Sequence, residues 1–130
     1  MKKVGTMPMG TNVSRILLAL SALILVLGGT MHAGAFKKML IAVDASNLPP
    51  FYANSLKGLW LIDAATLITL AVIFAVIAAQ PALASRAVVV LLAIVPAATA
   101  FFLYRYIGNF LPAHMLLASS AAAVIAGLRL

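Results

Sequence analysis

The sequence predicts an all-α, polytopic integral membrane protein: a compact four-transmembrane-helix bundle with a short interfacial helix in its first loop. Three observations carry that prediction. Hydrophobic residues make up 65% of the 130-residue chain and charged residues 8%, against roughly 45–50% and 25% in soluble domains. The mean hydropathy is +1.18. Four apolar stretches of about 20 residues, the length of a membrane-crossing helix, divide the chain. None alternates with the period of two that a membrane β-strand requires. The length suits one domain, so residues 1–130 are read as a single four-span unit.

The first span is assigned to residues 14–31, an unbroken Leu/Ile/Val/Ala run. In lipid its backbone groups must be bonded within the segment, which selects a helix. Lys2, Lys3, the apolar run from Ile16 to Leu27 and Ala33-Gly34-Ala35 also fit a secretory signal peptide. The charges stand far from the apolar run, so the segment is kept as a span.

The first connection, 32–57, is long enough for structure of its own. Phe36, Met39, Leu40 and Val43 recur at helical spacing, with Lys37, Lys38 and Asp44 on the other side. That pattern reads as a short amphipathic helix at the interface, broken by Leu48-Pro49-Pro50. The second span follows at 58–79. Pro81 marks a tight turn, and the third span occupies 87–104 with Pro96 at its middle, where a kink is expected. A second short turn leads to the fourth span, 111–128.

The fourth span is rich in small residues four apart. Ala118 with Ala122, Ser119 with Ala123, Ala122 with Ala126, and Ala123 with Gly127 are spacings that let helices approach closely in lipid. They predict packing within the bundle. The same face (Ala118, Ala122, Ala126, Gly127) is also the expected contact for a second copy or a partner membrane subunit.

Charge excludes several functions. Nine Lys/Arg against two acidic residues give +7, but the cations are scattered singly and in pairs. A nucleic-acid partner would need a dense basic patch. The absence of cysteine removes disulfides, thiolate metal sites and a cysteine nucleophile. No two of the His and Asp residues are spaced i, i+3 or i, i+4, so neither a metal nor another cofactor is expected. No catalytic-serine elbow or P-loop is present. Five cations on the side of the termini (Lys2, Lys3, Arg15, Arg86, Arg129) face four on the other. By the positive-inside rule this puts both termini in the cytoplasm. The Ala-rich spans and short loops fit a bacterial inner membrane.

Polar and aromatic residues gather at the membrane face bearing the long first loop, hereafter the loop end. His32, Asp63, Arg105 and His114 share that level, with Trp60, Tyr104, Tyr106 and Asn109. Asp63 lies inside a span, where an ionisable side chain is costly and should have a partner. Arg105, His32, His114 and Thr66 are the candidates. An Asp63–Arg105 pair would be a structural lock between helices; Asp63 with His32 or His114 would be a proton-handling pair. Trp60, Tyr104, Arg105, Tyr106 and Asn109 are the expected ligand or lipid contacts, Arg105 being suited to a headgroup phosphate. The one-sided aromatics read as either an outward anchor or a pocket lining.

Two functions follow from these residues. The first is a non-catalytic membrane component that binds a partner subunit or a lipid. The alternative is a membrane-embedded enzyme or carrier for an apolar substrate (an isoprenoid, quinone or lipid), using Asp63 with His32 or His114. An ion channel ranks below both, because no polar stripe runs the full depth of any span.

Overall fold

The computed structural model describes residues 9–130, with side chains from residue 12. Among these, every regular element is helical: α1 (Met9–Gly34), α2 (Phe36–Asp44), α3 (Pro50–Ala79), α4 (Arg86–Tyr106) and α5 (Leu111–Leu128), with a single 3-10 turn at Pro81–Leu83. Lys2 and Lys3 lie outside the described residues. Four of the helices, α1, α3, α4 and α5, are long and apolar enough to cross a membrane.

The helix limits follow local chemistry. Pro50 occupies the first turn of α3, where its missing N–H costs nothing; α3 therefore starts eight residues before the span expected from hydropathy alone. Ser85 caps α4, its Oγ accepting from the Val88 N–H at 3.4 Å. α4 ends where Gly108 takes a φ of +93°, a left-handed conformation that glycine adopts without a Cβ clash. Pro96 sits inside α4 and is fully buried, so it is accommodated within a helix that continues to Tyr106. α2 forms where the heptad-like spacing placed it. Val43 is buried, Phe36, Met39 and Leu40 are half-buried, and Lys37 and Lys38 are exposed.

The long helices run alternately up and down. Ser14 meets Ala126 and Ser21 meets Ser119, which makes α1 and α5 antiparallel. Arg15 reaches Ala78 while Trp60 reaches His32, so α1 and α3 are antiparallel as well. α4 lies antiparallel to α5 through the Ser120–Ala93 contact. The packing order is α3–α1–α5–α4, with α1 and α5 on the inside and α2 lying against α3. The core joins Leu18, Leu25, Leu67, Phe74, Val89, Ala93, Leu116 and Ala123, with Phe74 the largest side chain fully enclosed.

Close approach is what the small residues provide. Gly29 of α1 lies against α3, where an added Cβ would come within 2.9 Å of Ile68 Cγ1. Gly127 of α5 lies as tightly against Val89 and Val90 of α4. Ala122, Ala126 and Gly127, three of the four residues expected to meet a partner, are buried inside the chain, and Ala118 faces outward.

Candidate functional site

The loop end holds two polar clusters. In the first, the His32 ring in the last turn of α1 lies flat on the Trp60 ring of α3, with centroids 4.1 Å apart and planes 12° from parallel. The Trp60 indole Nε1–H donates to the His32 carbonyl at 2.8 Å. The same carbonyl, near the C-terminus of α1, also accepts from the Ala35 N–H at 3.2 Å. Asp63, one turn along α3 from Trp60, brings Oδ2 to 3.4 Å from His32 Nε2. The pair is in ion-pair range but out of line for a hydrogen bond, and buried Nε2 has no hydrogen-bond partner. The imidazole is 27% exposed and the carboxylate 38%.

The second cluster ties α4 to α5. The Tyr104 hydroxyl lies 2.5 Å from His114 Nδ1, and His114 Nε2 lies 2.6 Å from Asn109 Oδ1. A single tautomer serves both contacts: Nε2–H donates to Asn109, and Nδ1 accepts from the tyrosine. These three residues close the short turn between the helices.

Several expectations are corrected by this arrangement. Asp63 does not pair with Arg105, because α3 has α1 as its neighbour while Arg105 belongs to α4, which packs on α5. The Arg105 guanidinium sits instead 5.5 Å from the centroid of the Tyr106 ring. His114 is likewise engaged by Tyr104 and Asn109 rather than Asp63. Thr66 returns its hydroxyl to the Ile62 carbonyl at 2.8 Å, the usual resort of a helical threonine without a polar neighbour. Of the three proposed partners of Asp63 on other helices, only His32 reaches it. Among the described residues no three of His, Cys, Asp and Glu converge on one point.

The aromatics resolve into an outward set and an inward pair. Phe51, Tyr52, Phe101, Phe102, Tyr106 and Phe110 are exposed, whereas Trp60 and Tyr104 turn towards their neighbours. None of the outward set lines the groove between α3 and α4 described below. Of the expected ligand contacts, Arg105, Tyr106 and Asn109 are exposed at the ends of α4 and in the turn after it.

One apolar groove follows the seam between α3 and α4, beginning at Ile62 beside Asp63, and no residue of either polar cluster lines it. Its volume is about 410 Å³, and its lining includes Ile62, Ala65, Thr69, Ile73, Leu92 and Val95. The stretch of α3 from Ile62 to Ile73 is about 16 Å long at 1.5 Å per residue, about half the thickness of a hydrocarbon core. The groove exists because α4 packs mainly on α5 and only loosely on α3, although the turn joining α3 to α4 is short.

Sequence reasoning passed over the buried hydroxyls, reading Ser119 only as a small residue. Ser21 Oγ lies 2.7 Å from Ser119 Oγ, Ser14 donates to the Ala126 carbonyl at 3.1 Å, and Ser120 donates to the Ala93 carbonyl at 2.7 Å. Hydroxyls set inside otherwise unbroken apolar runs were the available signal, since a polar side chain there seeks a partner on another helix. Compared with known proteins, the chain matches no protein-family model, no curated protein and no solved structure.

Proposed function

We propose that the chain is a small integral membrane protein, a four-span bundle forming one domain, that acts as a non-catalytic component and holds a lipid chain in the α3–α4 seam. In this reading it resides in a bacterial inner membrane with both termini in the cytoplasm. The outward aromatics of the loop end then lie in the headgroup layer as an interfacial anchor. The observation that carries the reading is the groove itself: about 410 Å³, apolar, and open along one side. Ligand sites fall in the range of about 300–1,000 Å³. Thr66 has turned its hydroxyl onto its own helix, so the lining offers a single threonine hydroxyl, that of Thr69, and otherwise hydrocarbon.

Native mass spectrometry of the detergent-solubilised protein tests this. The expected result is a retained adduct of lipid mass, lost when Ala65→Leu and Thr69→Leu together fill the groove. Both positions are exposed, so the double variant keeps its fold. A wild-type protein without an adduct, or adducts unchanged in the filled variant, would overturn the proposal. The same spectra report a second copy or a co-purified subunit.

A second reading, an enzyme or carrier for an isoprenoid, quinone or lipid substrate, draws on one observation, the 3.4 Å approach of Asp63 to His32. It predicts a retained isoprenoid or quinone mass that disappears with Asp63→Asn while helical content is unchanged.

A further inference from the structure

We propose that His32, Trp60 and Asp63 form a proton-operated latch between the loop ends of α1 and α3. The parts are already assembled. The imidazole lies on the indole at 4.1 Å, and its Nε2 stands 3.4 Å from Asp63 Oδ2 without a hydrogen bond. With the imidazole neutral, the group meets Asp63 only as a polar ring near a charge, and a buried ring nitrogen remains unsatisfied, which is unfavourable. Uptake of one proton from solvent makes both ring nitrogens donors and places a cation between a carboxylate and an aromatic face. The first contact becomes a true ion pair, and the second a cation–π contact. The one bond formed is the N–H on the His32 ring, its proton supplied by solvent, and the resulting charge changes how strongly α1 is held to α3.

The surrounding charges leave Asp63 as the group that decides the outcome. On α2, Lys37 and Lys38 are exposed, and Asp44 is held by Lys57 of α3 at 2.7 Å. On α5, His114 is bonded to Tyr104 and Asn109, and Arg105 of α4 rests by Tyr106. None of them touches the imidazole. The latch sits where the chain leaves α1 for α2, with Ala35 between the two helices, so its closure sets how firmly that corner is pinned. The inference does not depend on a lipid occupying the seam.

Trp60 is the only tryptophan, so emission excited to the red of tyrosine absorption reads this contact. A protonated imidazole stacked on an indole quenches its emission. Purified protein in non-ionic detergent is scanned from about pH 8 to about pH 5, the range in which histidines change charge. The expected result is a reversible fall in emission on acidification, absent in His32→Gln and retained in His114→Gln. Acrylamide quenching separates a latch from a mere stack. Acid should shield Trp60 from acrylamide in the wild type, and this shielding should be lost in Asp63→Asn, whose ring stack remains. Emission that ignores pH in the wild type, a transition that survives His32→Gln, or full acid shielding in Asp63→Asn would each overturn the proposal. Should His32→Gln fail to fold, the acrylamide comparison on Asp63→Asn decides alone.

Discussion

Ser21 and Ser119 show how single residues fix one helix against another in this chain. Both are fully buried, their hydroxyls lie 2.7 Å apart, and each also reaches the other's carbonyl. The hydrophobic effect does not drive association in lipid, because the tails are as apolar as the side chains, which leaves close packing and polar contacts to hold helices together. Polar contacts of this kind contribute about 0.6 kcal/mol on average in membrane proteins and about 1–2 kcal/mol in model peptides. Ser21→Ala and Ser119→Ala should therefore each destabilise the protein by about 1 kcal/mol and couple by about 0.6 kcal/mol. Reversible unfolding in mixed micelles of the two single variants and the double variant measures the coupling; a value of zero would mean that packing alone holds α1 to α5. The Lys57–Asp44 pair is the counterexample. Its 2.7 Å separation is short, but Asp44 is 65% exposed, and exposed ion pairs are worth about 0–1 kcal/mol. Lys57→Ala should leave the unfolding transition within that margin, and a larger loss would show that α2 depends on the pair for its docking.

Adjacent glycines in α1 make the same point for whole elements. A Cβ at Gly28 would meet nothing within 4 Å, whereas one at Gly29 would lie 2.9 Å from Ile68 Cγ1 and 3.2 Å from Leu67 Cβ. Alanine relieves the helix penalty of glycine by about 0.5–1 kcal/mol, so Gly28→Ala should stabilise the protein slightly. Gly29→Ala gains the same helix term but wedges α1 from α3, and overpacking of that kind costs about 1–3 kcal/mol. Opposite shifts of the unfolding midpoint are the expected outcome; equal shifts would show that the α1–α3 contact yields freely. Such contacts were partly legible beforehand. The four helices, α2 and the limits of α5 follow directly from hydropathy and proline placement. The small-residue face of α5 was visible too, but spacing cannot say whether a neighbour belongs to the same chain or another. The structure buries Ala122, Ala126 and Gly127 internally. Within the candidate site, the common depth of His32, Asp63, Arg105 and His114 was readable, yet their sorting into two clusters was not. That sorting depends on which helices are neighbours, and helices apolar on every side carry no stripe to announce a preferred one.

The neighbour order α3–α1–α5–α4 is the property of the whole molecule that the rest depends on. α1 and α5 each have a helix on either side, whereas α4 leans chiefly on α5. Accordingly 22% of the apolar stretch of α4 is buried inside the chain, against 44% for α5. Helices with few buried contacts open at lower free energy than those at the centre. Amide hydrogen exchange in lipid-free detergent should therefore run fastest along α4 and slowest along the middle of α5, around Ser119 and Ala123. The same measurement in lipid bilayers tests the seam from the opposite direction. A chain lodged between Ile62, Ala65, Thr69, Leu92 and Val95 supplies α4 with the second neighbour it lacks, so protection should rise along Leu92–Val95 more than along the outward face of α5. Equal gains on both helices would mean that the bilayer merely bathes α4, and that the open seam is not a site. Strong protection of α4 already in detergent would point to a second copy of the chain filling the groove, which the subunit count from native mass spectrometry would then show.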